Sequence, residues 1–276
     1  MSYTFEQYKE AADQIRAMTG GFAPEILLIL GSGLGNLGNE VEDPVYVPYK
    51  EVPHMKTSSA PGHIGRFVFG TLGGRKVCVM QGRIHCYEGY TMEDTAFPVR
   101  LFKLLGGTAV ILTNAAGCIN KSWNAGDLCL ITDHIRLFGF GPLNGPNVEE
   151  FGTRFNDMTS VYTPDLQGLA RKVAKEQNIV LREGVYMYFP GPQFETPAEI
   201  RAAGILGADL AGMSTVPEAT VARHCGLDIL GISLCTNMAA GILSQPLSGE
   251  EVNACAEQAA PRFRALILGI LEQIAR

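Results

Sequence analysis

No apolar run in this 276-residue chain approaches the roughly 20 residues needed to cross a bilayer, so no membrane partner is expected. Seven cysteines are present, an odd number, and none forms a Cys-x-x-Cys pair. That pattern excludes a disulfide framework and a structural zinc site, and it fits a reduced, cytoplasmic protein with buried thiols. The five histidines (54, 63, 85, 134 and 224) show no metal-type spacing, so no metal is expected. Charge is also sparse. Charged residues make up 18%, with 22 Lys+Arg against 28 Asp+Glu, giving 22 − 28 = −6. A mildly acidic chain is a poor general binder of nucleic acid. The first sixteen residues are polar and acidic, unlike a signal or transit peptide.

What is present is a large apolar fraction, 46%, enough to bury a sizeable core. The length admits one large domain or two small ones, and no linker, repeat or low-complexity tract divides it. Strands and helices alternate. Continuous apolar runs at 25–30, 108–113, 128–132 and 227–235 read as buried strands. Segments 66–71 and 76–80, split by Gly73-Gly74, read as a hairpin, and 184–188 and 209–213 as further strands. Helical spacing marks 6–18, 92–105, 166–177 and 249–275. Residues 137–163, rich in Gly, Pro and Asn, form a long irregular excursion of a kind that is usually functional or makes subunit contacts. The class is α/β with a parallel or mixed sheet.

Chemistry-bearing residues sit where strands end. Gly31-Ser32-Gly33-Leu34-Gly35 follows the first strand, and its glycines let backbone N–H groups approach an anion. Gly33-x-Gly35-x-x-Gly38 also satisfies a dinucleotide fingerprint. However, Pro44, Pro48 and Pro53 crowd the place where a helix and second strand should follow. A phosphate loop using Ser32 is favoured over a bare turn. In Gln81-Gly82-Arg83-Ile84-His85-Cys86-Tyr87, a continuing strand would put Arg83, His85 and Tyr87 on one face. Arg offers a fork suited to phosphate, His a second donor and Tyr a flat face for a sugar. The alternative is a solvated edge.

Asn114-Ala115-Ala116-Gly117 leaves main-chain N–H groups open, or is simply a tight turn. In Gly191-Pro192-Gln193-Phe194-Glu195-Thr196-Pro197-Ala198-Glu199, Thr196 and Glu199 form a capping box. Phe194 and Glu195 then lie just before the helix, an aromatic platform beside an acceptor. The alternative for Glu195 is a favourable place near the helix dipole. Met213-Ser214-Thr215-Val216-Pro217-Glu218 ends a strand, and Thr215 with Glu218 reads as a second cap. Ser214 either serves an anion or helps that cap. Asn237, after the last strand, can donate and accept at once, or is an ordinary turn former. Together these groups describe phosphate, pentose and purine in one pocket.

The motifs GSGLG, PGHIGR, QGRIHCYEGY, NAAG, GPQFET, AGMSTVPE, ARHCG and TNMAAG follow in this order from residue 31 to 241. In this set the chain resembles the purine nucleoside phosphorylases of the trimeric, low-molecular-weight type. The resemblance implies one domain over 1–276, a nucleoside phosphorylase fold with a central mixed β-sheet flanked by helices, and a homotrimer. It implies phosphate binding by Ser32, His63, Arg83, His85, the backbone N–H of Ala115 and Ser214. It implies ribose contacts from Tyr87 and Met213, and purine contacts from Phe194, Glu195 and Asn237. His85, Glu195 and Asn237 would carry catalysis, and Phe155 would reach the neighbouring subunit's pocket. The family's usual histidine at the start of the last helix, which meets the ribose 5′-hydroxyl, is Gly249 here.

The implied reaction is reversible phosphorolysis of 6-oxopurine ribo- or deoxyribonucleosides, with inorganic phosphate as co-substrate and no cofactor. Methylthioadenosine phosphorylase is the rival within the fold, but Asn237 stands where those enzymes carry Asp. A nucleoside hydrolase, or a non-enzymatic nucleotide-binding module built on Gly33 to Gly38, is the rival outside it.

Overall fold

The computed structural model describes residues 2–60, 62–137 and 139–274. Its strands are β1 (Ile26–Ile29), β2 (Glu42–Pro48), β3 (Arg66–Leu72), β4 (Arg75–Gln81), β5 (Ala109–Cys118), β6 (Leu128–Ile135), β7 (Leu181–Tyr188), β8 (Leu210–Gly212) and β9 (Asp228–Met238). The helices are α1 (Phe5–Met18), α2 (Met92–Leu104), α3 (Pro164–Glu176), α4 (Pro197–Ile205), α5 (Val216–His224) and α6 (Gly249–Gln273). Short 3₁₀ turns cover Gly35–Glu40, Tyr49–Glu51 and Cys86–Glu88. The expected end of α6 at Ala275 lies outside the described residues.

The sheet is mixed and single, in the order β2-β3-β4-β1-β5-β8-β7-β6-β9. β1 runs parallel to both β4 and β5. β9 pairs with β5 as well as β6, so β5, β9, β6, β7 and β8 close into a ring while β2, β3 and β4 fan out as an open wing. Side chains alternate between faces along each strand. Leu27 and Ile29 meet α1, α2 and α5 through Tyr8, Ile15, Phe97, Leu101, Val216 and Ala219. Ile26 and Leu28 meet α3 and α6 through Val173, Phe263, Leu266 and Ile270. α4 covers a smaller cluster with Ile200 and Ala203 against Met187 and Ala211. Thr4, Thr91, Thr196 and Ser248 each cap a helix by accepting from the backbone N–H three residues on. No helix among the described residues is long and apolar enough to cross a membrane.

The structure corrects three expectations and agrees with the rejection of a dinucleotide fold. β2 was not anticipated, because Pro44 and Pro48 argue against a strand. It lies at the sheet's edge, where a missing N–H costs no ladder bond. After β1 comes a 3₁₀ turn and then this antiparallel edge strand, not the helix and parallel strand a dinucleotide fold requires. Asn114 to Gly117 is no turn. β5 continues through it in register with β9, Asn114 opposite Ser233 and Ala115 opposite Leu234. The second cap also fails. Thr215 has φ +73 and caps nothing, because its hydroxyl accepts instead from Asn114 Nδ2 at 2.9 Å while Glu218 turns inward to Arg83.

Candidate active site

The geometry of β5 explains where the cavity lies. One edge of this strand pairs with β1 only up to Leu112 and meets β8 only at Gly117 and Cys118. Between them four residues have no strand neighbour on that side. A cavity of about 370 Å³ opens there, lined by Asn114, Ala115, Ala116 and Gly117. The loop after β1 closes one side. Gly31 passes so near β5 that a Cβ on it would stand 2.6 Å from the Asn114 Cα. Gly33, at φ +75, packs against the Ala256 side chain of α6. Both positions exclude larger residues, and they deliver Ser32 to the cavity wall.

β4 stops at Gln81, so the expected extended run through Tyr87 does not form. A turn at Gly82 and a 3₁₀ turn at Cys86–Glu88 replace it. Arg83, His85 and Tyr87 reach the cavity all the same, and His85 stacks on Tyr87 with ring centres 4.6 Å apart and planes 14° from parallel. Arg83 is 1% exposed. Its Nη1 donates to the Thr113 carbonyl at 2.8 Å and to Ser214 Oγ at 3.0 Å. Nε stands 2.7 Å from Glu218 Oε1 in a buried ion pair whose N–H is not aimed along the contact. Nη2 has no partner among the described residues. The Ser214 backbone N–H donates to Tyr186 Oη at 3.2 Å, which fixes that end of β8.

Burial biases both histidines here toward the neutral form. His63 Nδ1–H donates to the Arg83 carbonyl at 2.7 Å, so its Nε2 accepts from the Ser32 hydroxyl at 3.4 Å. Burial holds its pKa below the ordinary 6.5. Burial, then the charge of Arg83 and the neighbouring His63, pushes His85 down to about 3. Glu88 orients His85, accepting from its backbone N–H at 2.8 Å and from Nδ1–H at 3.2 Å. Burial alone would raise the Glu88 carboxyl, but hydrogen bonds from the Ser59 and His85 backbone N–H groups hold it below the ordinary value. With Nδ1–H committed to Glu88, His85 offers its Nε2 lone pair as an acceptor rather than the second donor expected from sequence.

At the other end, Phe194 is 40% exposed and Glu195 half-buried, both on the loop before α4. Burial raises the Glu195 carboxyl, although its own backbone N–H works against the shift. Asn237 is 4% exposed near the end of β9. Its Oδ1 accepts from Thr236 Oγ1 at 3.1 Å and its Nδ2 donates to the Met238 carbonyl at 3.2 Å. Met213 lines the wall between the two ends, and Gly249, Val252 and Asn253 of α6 complete it.

Of the residues expected at the site, Ser32, Arg83, His85, Ala115, Ser214, Tyr87, Met213, Phe194, Glu195 and Asn237 therefore share one cavity. His63 does not line it. It faces a neighbouring cavity of about 310 Å³ and reaches the first through Ser32. Phe155 is 92% exposed and lines no part of either. Sequence reasoning missed the partnership of Glu218 with Arg83, the role of Glu88, and Val252 and Asn253 of α6. The GxxHxxE spacing from Gly82 through His85 to Glu88 could have flagged Glu88, whereas nothing local pairs Glu218 with Arg83.

Comparison with known proteins agrees with this geometry. Residues 25–272 match the model of the phosphorylase superfamily. Purine nucleoside phosphorylase 1 of Bacillus subtilis is 52% identical over 251 residues, covering 91% of this chain and 93% of that protein. Purine nucleoside phosphorylase of Schistosoma mansoni, solved in complex with inosine, superposes with a TM-score of 0.94 at 40% identity over 100% of this chain and 99% of that one. Schistosoma mansoni purine nucleoside phosphorylase solved with adenosine gives the same TM-score and identity over 100% of both chains. The chain belongs to the phosphorylase superfamily, and within it to the purine nucleoside phosphorylases.

Proposed function

We propose that the cavity carries out reversible phosphorolysis of 6-oxopurine nucleosides, turning inosine or guanosine and inorganic phosphate into free purine and ribose 1-phosphate. Deoxyribonucleosides fit the same scheme. The observation that carries the reading is the shared cavity itself. It joins a buried guanidinium with an unmatched donor, a sugar-sized wall of Tyr87 and Met213, and a base end holding Phe194, Glu195 and Asn237.

Breaking the glycosidic bond leaves positive charge on the sugar and negative charge on the purine. Phosphate held by Arg83, Ser214, Ser32 and the Ala115 backbone N–H stabilises the first, and being prepositioned it avoids the entropic cost of encounter. His63 acts through Ser32. His85 accepts from the remaining phosphate proton or a sugar hydroxyl. Asn237 donates to N7 as the base gains electrons, a bond that strengthens toward the transition state. Glu195 accepts from N1–H of a 6-oxopurine, and 6-aminopurines present a lone pair there. No cofactor is required, since a phosphate oxygen is the nucleophile and the purine is the leaving group. A homotrimer in the cytoplasm, with Phe155 closing the next subunit's pocket, completes the reading; its great exposure in the single chain suits that role.

The Schistosoma mansoni enzyme has been solved with adenosine as well as with inosine, so the test is turnover rather than binding. Base release is followed from inosine, guanosine, adenosine and 5′-methylthioadenosine, with and without phosphate. Phosphate-dependent release from inosine and guanosine, well ahead of the other two, is the expected result. Release without phosphate, or preference for the 6-amino substrates, overturns it.

A further inference from the structure

Arg83 and Glu218 are each 2% exposed at the side chain, one on the turn after β4 and the other in the first turn of α5. Such a pair contributes little net stability, because removing two charges from water offsets most of their attraction. An acidic residue in a first turn usually serves the helix end. Glu218 does not reach back to cap, and Thr215 before it is held in a left-handed conformation that brings Ser214 and Glu218 to the same guanidinium.

The contact is also one-sided. An arginine and a carboxylate bonded for stability close a two-pronged fork. Here Glu218 Oε1 meets Nε at 2.7 Å, while Arg83 Nη2 and Glu218 Oε2 are both without partners among the described residues. Nη1 is already committed to Thr113 and Ser214. The guanidinium is therefore held by protein at Nε and Nη1, Nη2 is the donor that no described residue satisfies, and the residue lines the cavity.

We infer that Glu218 is the positioning residue and resident counter-ion of Arg83, fixing which edge of the guanidinium meets phosphate and moderating how tightly the anion is held. The inference rests on the reading of Arg83 as a phosphate ligand. An uncompensated buried arginine would stabilise bound phosphate more than the transition state, in which phosphate has begun to give charge to the sugar. Ground-state binding of that kind lowers kcat. Glu218 reduces the surplus.

Glu218→Gln keeps the side chain's size and shape and removes the charge. Calorimetry with inorganic phosphate is expected to show binding tighter by about tenfold, and kcat for inosine to fall by about tenfold, the scale of coupling between close buried charges. Glu218→Asp keeps the charge and is expected to hold phosphate affinity within about threefold of native by the same argument. A residue that only supports the fold would weaken phosphate binding in both variants. Native or weaker binding in Glu218→Gln, or tighter binding in Glu218→Asp, overturns the inference. If Glu218→Gln does not fold in phosphate-free buffer, recovery by phosphate but not by chloride of equal ionic strength supports it, and recovery by neither or both overturns it. Native phosphate affinity in Arg83→Met would instead overturn the reading beneath, a result the Glu218 variants cannot mimic.

Discussion

Arg83, at the anion end of the cavity, is 1% exposed and tied to β5, β8 and α5, whereas Phe194, at the base end, is 40% exposed on the loop before α4. The anion end is assembled from the tips of the sheet, and its side chains bond to one another. The base end borrows from a loop and from the first turns of α6, with Asn237 and the neighbouring Gly117 seated on strands. This division fits the chemistry proposed for each part. Phosphate is one fixed shape carrying high charge, so a rigid cradle loses nothing. A purine must enter, stack and leave, so its walls have to yield.

The contrast predicts that anion-end substitutions cost stability as well as activity, and base-end substitutions cost activity alone. Arg83→Met is expected to show the largest effect. Loss of a preorganised donor lowers kcat/KM for inosine by about 10³. Leaving Glu218 buried and unpaired lowers stability by about 3–5 kcal/mol. Steady-state kinetics and urea unfolding measure the two together. A variant that loses activity while keeping native stability would break the comparison.

Asn237→Ala should follow, with inosine kcat/KM down about 10²–10³, as for removal of a donor that acts on developing charge. Among the described residues its amide bonds only to Thr236 and Met238 of its own strand end. The unfolding midpoint should therefore move far less than in Arg83→Met. Intact inosine turnover in this variant removes Asn237 from the proposed role.

The same division governs what could be read from sequence. Strands and helices whose apolar residues are locally continuous or periodic, such as 25–30 and 249–273, are legible because local pattern and tertiary burial agree. So are Arg83, His85 and Ser214, which stand beside glycines and strand ends. Glu218 looked like a helix cap because the sequence Thr-x-x-Glu is sufficient for one. Only the fold reveals that Asn114 has taken the threonine hydroxyl and Arg83 the carboxylate. The strand through Asn114-Ala115-Ala116-Gly117 was hidden for a related reason. Small residues with a glycine imitate a turn, and pairing with β9 across the sheet overrides that preference.

Glu195→Gln sharpens the base end. Removing the charge from one hydrogen bond to N1–H should lower inosine kcat/KM by about 10–100-fold, while adenosine turnover changes less. Burial raises the native carboxyl above its ordinary 4.5. Below that raised pKa the group is protonated and loses the charge that strengthens its bond to N1–H, so KM for inosine should climb as pH falls through it. The climb should be absent in Glu195→Gln. Equal loss with both nucleosides would mean that Glu195 does not distinguish N1–H.

The smallest effect separates the histidines of the anion end from those elsewhere. His63 and His85 are held neutral, chiefly by burial, so the unfolded chain takes up protons near pH 6.5 that the folded protein refuses. Their contribution is therefore complete above pH 6.5 and declines as pH falls toward their folded pKa values, about 3 for His85. Each such ring costs at most about 1.4 kcal/mol per pH unit in that window. His134 and His224 are also depressed by burial but do not line the cavity, and they add a background slope. A dianion in the cradle would favour the charged imidazoles and flatten only the part of the slope due to His63 and His85. Sulfate is the useful probe, since its charge does not change between pH 5.5 and 7.5, a span of about two units over which the loss would accumulate. Thermal midpoints across that range should fall less steeply with sulfate than with chloride of equal ionic strength. Parallel slopes would place both imidazoles out of the anion's reach and leave Arg83, Ser214 and Ser32 to hold it alone.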